Sequence, residues 1–227
     1  QIALEKAQAK KGAVQVKSGR YRMLVENEVA SKLVSPLLNA LNAWSLQQNN
    51  SFLRDTLGKK CFSEKFQLRD IPRTPGLQGV RWYDSEGVAT RNADIIRDGV
   101  VQQYFVSSYM ARKTGLEPNI EMPNKVFLPP TIPGSSLDDL VSACPEGILI
   151  TDFNGGNFNS STGDFSYGIE GFLIRGGKLA KPIEGMVVTG NLVELWNHFE
   201  AAADDTRNCM SKLIPTLAFS YADFSGE

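Results

Sequence analysis

At 227 residues, with 42% hydrophobic and 22% charged residues, the chain can bury a sizeable core and fold as one large domain or two small ones. Lys plus Arg (24) nearly balance Asp plus Glu (25), so the net charge of -1 gives no general pull toward nucleic acid or acidic lipid. No apolar run reaches the roughly eighteen residues of a membrane span, and no signal peptide opens the chain. Three widely spaced cysteines, Cys61, Cys144 and Cys209, fit no metal pattern, which points to a reduced, cytoplasmic setting. In that setting the sequons at Asn49 and Asn159 carry no meaning for glycosylation.

Residues 2–11 are Ala- and Lys-rich and favour a helix with a thin apolar face. The run reads as the tail of a helix that begins before this sequence, and a start at Gln1 rather than Met points to a fragment or a processed or trimmed chain. Residues 1–18 are expected as a linker helix and 19–227 as the domain proper. Tyr21 to Glu26 reads as a strand. From Glu28 a helical period runs through Val29, Leu33, Leu37, Leu38 and Leu41 to Trp44, with Pro36 expected to kink or break it. Ser51 to Leu57 reads as a shorter helix stopped at Gly58, and Lys65 to Ile71 alternates like a half-buried strand. Pro72 to Gly79 is a loop, and Asp98-Gly99 between β-branched pairs predicts a tight hairpin.

Ser107 to Thr114 predicts a helix ended by Gly115, followed by a proline-rich loop or inter-element crossing without its own core. Ser136 caps a helix to about Ala143. Gly147 to Thr151 is a buried strand, Phe165 to Ile174 a second, and Arg175-Gly-Gly-Lys178 the turn into a third. Between the first two lies Asp152 to Ser161, a polar stretch rich in Asn, Gly and Ser that reads as a loop. Its residues Asn154, Gly155, Gly156 and Asn157 are candidates for holding a peptide, because glycine lets a ligand backbone come close or adopts φ/ψ closed to other residues. A long decorated turn with no ligand is the alternative. A helix over Leu192 to Ala202 and a closing strand over Leu213 to Phe219 complete an α+β chain, mainly antiparallel sheet with a few packed helices.

Enzymatic signals are sparse. The single histidine, His198, sits among core-forming helix residues, and one histidine with scattered cysteines makes no three-ligand zinc site from this chain alone. Gly155-Gly156 lacks the Lys and Ser/Thr of a phosphate loop, and no Gly-x-Ser-x-Gly elbow is present. Asp84 with Glu86 could act as acid and base, and Cys61 with His198 as nucleophile and base, but turn acids and core residues account for each.

The order of motifs is more specific. Asp84-Ser-Glu-Gly87, Asp98-Gly-Val100, Ser108-Tyr-Met-Ala-Arg-Lys-Thr-Gly115, Gly156-Asn157, Ser161-Thr-Gly-Asp-Phe-Ser166, Glu170-Gly-Phe-Leu-Ile174, Gly177-Lys178, Pro182, Gly190-Asn191, Asp204-Asp205 and Pro215-Thr-Leu217 follow one another along nearly the whole chain. This series resembles the C-terminal region of the TldD/PmbA family, also called modulators of DNA gyrase. The family's TldD-like branch resembles a zinc protease with a His-Glu-x-x-x-His helix and a later cysteine. The corresponding helix here carries Val34-Ser-Pro-Leu-Leu-Asn39, with neither imidazole nor carboxylate, and the flanks of Cys209 do not reproduce the cysteine motif. The chain is thus similar to the PmbA (TldE) branch. The resemblance implies a subunit without catalytic or metal residues and without a cofactor, zinc belonging to a TldD-like partner. That partner, or a second copy in a homodimer, would share a peptide substrate, with no membrane or direct nucleic-acid role. An independent peptide-binding or regulatory homodimer is the rival reading, and an autonomous hydrolase the third.

Overall fold

In a computed structural model residues 1–226 are described, apart from the side chains of Ile2 and Ala3; Glu227, the last residue of the expected domain, lies outside them. Helix α1 (Ile2–Ala9) is tied to the body by Lys6, within 2.9 Å of both Glu26 and Glu28, and by Lys10, 2.9 Å from Glu170. Strand β1 (Gly19–Val25) buries Met23, Leu24 and Val25. Helix α2 (Ser31–Ala40) buries Leu33, Val34, Leu37, Leu38 and Ala40 as the period predicts, but Pro36 does not break it. Proline has no N–H for the Lys32 carbonyl, and that lost bond lies on the helix face turned to an open cleft, where water can serve the carbonyl. Trp44 belongs to a separate short helix, α3 (Ala43–Gln47), capped by Asn42, and is 49% exposed.

The expected helix over Ser51 to Leu57 is a run of turns instead. Asp55 takes φ +58°, and side chains replace helical bonds: Ser51 Oγ donates to Ala40 O, and the Tyr104 hydroxyl accepts from Thr56 N. The expected strand over Lys65 to Ile71 shrinks to β2 (Leu68–Asp70). Strands β3 (Ala93–Arg97) and β4 (Val100–Val101) form the predicted hairpin, with Asp98 and Gly99 both at positive φ. Helix α4 (Ser108–Thr114) is capped by Ser107 and ends at Gly115, φ +74°. The proline-rich crossing contributes one short strand, β5 (Val126–Phe127). Its neighbour Lys125 is buried, donating to the carbonyls of Gln78 and Met210. Helix α5 (Leu137–Ser142) carries a capping box between Ser136 and Asp139.

Three long strands follow: β6 (Glu146–Phe158), β7 (Asp164–Arg175) and β8 (Lys178–Asn191), the last two joined by Gly176 and Gly177 at positive φ. The polar stretch expected as a loop is therefore the second half of β6, kept in the sheet by bulges near Ile150 and between Phe153 and Gly156. Helix α6 (Leu192–Asn197) stops short of its expected end. Phe199, Ala201 and Ala202 turn to extended backbone in β9 (Phe199–Ala202), where pairing buries them. The expected closing strand likewise divides into β10 (Lys212–Leu213) and β11 (Leu217–Ser225), because Pro215 interrupts the ladder and Asp205 takes up Thr216 N and Oγ1.

The fold is α+β and mainly antiparallel. The large sheet runs β1-β6-β7-β8-β11-β9, and β1 also pairs with β11, so five strands close on themselves. The small sheet runs β10-β5-β2-β3-β4. Among the named strands parallel pairing is confined to β1–β6 and β5–β10, with isolated parallel bridges joining Val14 to Ile183 and Asn42 to Phe105. The main core joins both sheets to α2 and α6 around Trp196, whose ring stacks on Phe66 at 4.0 Å and meets Phe199 and Phe219. A smaller cluster lies under α5. Among the described residues no helix is long and apolar enough to cross a membrane.

Candidate functional site

The strand that positions the site is β6. It is flanked on both sides only as far as Ile150, which pairs with Val25 of β1 and accepts from Glu26 N at 3.0 Å. There the chain turns away into α2, and from Thr151 to Phe158 β6 pairs with β7 alone among the described residues. The Asp152 carboxylate accepts from the next residue's amide, Phe153 N, at 2.8 Å.

Between this half-paired strand and α2 lies a cleft of about 750 Å³. One wall is the polar face of α2, with Ser31, Lys32, Ser35, Pro36 and Asn39; the other is Asp152, Phe153, Gly156 and Phe158, with Tyr167 of β7 as floor. One end is closed by the Ser160–Asn50 hydrogen bond, by Phe52 N donating to Ser160 O, and by edge-to-face contact of Phe52 with Phe158. The Tyr167 ring is fixed by Phe165, stacked at 5.2 Å, and Phe153, edge-on at 5.7 Å, and burial raises its hydroxyl pKa. Lys32 Nζ stands 5.1 Å from the centre of that ring.

Of the four residues expected to hold a peptide, Gly156 lines the cleft, whereas Asn154, Gly155 and Asn157 do not. Asn154 Nδ2 donates to Glu170 at 3.3 Å. The Lys10 ammonium, then Asn154, bind the Glu170 carboxylate and hold its pKa below its ordinary value. Gly155 and Gly156 both adopt φ +118°. A Cβ on Gly155 would meet open space, but one on Gly156 would lie 2.1 Å from Ser166 O and 2.7 Å from Tyr167 Cα. Gly156 is thus required by the close approach of its own partner strand. The α2 wall and Tyr167 were not picked out as site residues. The signal for the α2 wall was the polar stripe Ser31/Lys32–Ser35–Asn39, complementary to the apolar stripe of the same helix.

The donor set on α2 does not suit a zinc ion. Val34 is a buried alkyl group, Ser35 Oγ donates to Ser31 O at 2.8 Å, and Asn39 offers only an amide. Among the described residues no group of three or more His, Cys, Asp or Glu is placed to hold a metal. Cys209 is free and exposed, while burial raises the pKa of the Cys61 and Cys144 thiols. His198 lies away from the cleft, its ring 4.0 Å from that of Tyr221 in a small hollow with Arg20 and Asp223. Asp84 Oδ1 accepts from Glu86 N and Val88 N, and Glu86 accepts from Ser108 N at 2.7 Å, so both acids have backbone roles.

Residues 18–226 match the family described as the PmbA/TldA metallopeptidase C-terminal domain. The chain is 30% identical over 201 residues to Metalloprotease PmbA of Escherichia coli O157:H7, covering 86% of this chain and 44% of that protein. It has a TM-score of 0.97 and 45% identity to a protein of Bacteroides thetaiotaomicron described as a modulator of DNA gyrase, covering all of this chain and 51% of the other. The fold also matches TldE from Thermococcus kodakarensis, TM-score 0.88 at 23% identity over 99% of this chain and 54% of that one. The chain spans about half the length of these relatives. With the family's domain matched across 18–226, this chain belongs to the PmbA/TldA metallopeptidase family.

Proposed function

We propose that the chain serves as a non-catalytic, PmbA (TldE)-like subunit that pairs with a TldD-like zinc protease and supplies a cleft for an extended peptide. The observation that carries this reading is the half-paired β6 beside an α2 face without metal donors. A free strand edge offers backbone donors and acceptors to any extended chain, so a peptide can be held with little regard to its sequence. Cleavage then falls to the partner, which brings the imidazole and carboxylate groups that Val34, Ser35 and Asn39 do not supply. Because residues of one chain line both walls of the cleft, an independent peptide-binding homodimer is the second reading.

The test is reconstitution of the full-length protein with a TldD-like subunit from the same host. Each alone should leave unfolded peptides intact, while the mixture cleaves them and stops on chelation. Chelator-sensitive cleavage by this protein alone, with about one zinc per chain by elemental analysis, would overturn the proposal. Peptide binding by a homodimer that never associates with the TldD-like subunit would favour the second reading.

A further inference from the structure

The cleft has an uneven charge that bears on which peptides it takes. Among the described residues Lys32 is the one cation lining it and Asp152 the one anion. They serve differently. The Asp152 carboxylate is engaged by Phe153 N, at the point where the cleft adjoins the groove beneath α1. Lys32 has no carboxylate within ion-pair distance among the described residues. Its ammonium stands over the Tyr167 ring, which attracts a cation but takes none of its N–H donors in a conventional hydrogen bond.

We infer that Lys32 is a specificity residue that selects an acidic side chain in the bound peptide. The inference rests on the proposed peptide cleft and goes further by naming the chemistry of one position. Tyr167 pairs with Gly156, so the acidic residue lies level with Gly156. Asp152 lies opposite Glu170, three β7 positions from Tyr167 and so on the other face of the sheet, which leaves Lys32 as the charge that meets the peptide at this level. Since side chains alternate across a strand, the preference should appear at one parity of peptide position and vanish when the acid moves by one residue.

The experiment measures binding of fluorescent Ser/Thr/Val peptides, about ten residues long, to the full-length protein. Central Glu, Gln and Lys versions are compared, with the Glu also shifted by one position. The Glu peptide should bind about fivefold more tightly than the Gln peptide, as for a partly solvated ion pair, and lose that margin at high salt. Lys32→Gln should bring the ratio to one and Lys32→Arg should keep it. Glutamine is an adequate helix former at this exposed position, so the variant should fold. Equal binding of Glu and Gln peptides, or a preference unchanged in Lys32→Gln, overturns the inference and leaves the cleft standing. Failure of every peptide to bind removes the cleft reading and the inference with it.

Discussion

Gly156→Val should destabilise the protein by at least about 3 kcal/mol, and Gly155→Val by appreciably less. Both glycines sit at φ +118°, so either substitution carries backbone strain. Only at Gly156 does the new Cβ also fall 2.1 Å from Ser166 O, a backbone atom that cannot swing aside without parting β6 from β7. Urea denaturation of the two variants separates strain from collision. Equal midpoints would mean that the bulge can open without cost and that Gly156 is not what holds the distal half of β6 against β7. At Gly156 an added side chain meets the protein's own partner strand before it meets a ligand.

Trp196→Ala carries the other large effect. Trp196 is fully buried, stacked on Phe66, and its Nε1 donates to Leu33 O on α2 at 3.4 Å. Truncation should cost about 3–5 kcal/mol from lost burial and the cavity left behind. It also releases a carbonyl in the helix that forms one wall of the cleft. Trp196→Phe, which keeps most of the packing but not the hydrogen bond, should lose far less. Thermal unfolding of both variants checks this, and an equal loss in the two would assign the effect to the hydrogen bond instead of the ring.

The sequence showed elements well where one local rule decided the outcome. Asp98-Gly99 and Gly176-Gly177 are hairpin turns because their positions need positive φ, and Ser107, Ser136 and Gly115 mark helix ends by side-chain or φ chemistry. It misled where tertiary pairing overrode local preference. The Asn- and Gly-rich half of β6 has little strand propensity and is extended because β7 holds it. Phe199 to Ala202 continues a helical pattern but gains more by pairing with β11. Of the cleft, Gly156 was legible as a special backbone position, while Tyr167 passed for an ordinary inward residue of an alternating strand. The α2 wall could be read as amphipathic, yet nothing in the sequence said that its polar face looks onto a free strand edge and not onto bulk water.

That free edge is the centre of the account, and amide hydrogen exchange tests it most directly. Residues 147–150 are already flanked by β1 and β7, whereas 151–158 are bonded on one side. Saturating the full-length protein with the Glu-containing peptide should slow exchange at outward-facing amides within 151–158 by about tenfold or more, leaving 147–150 unchanged. Bound peptide with no new protection in 151–158, or with protection confined to another strand edge, would contradict the assignment of this cleft as the peptide site.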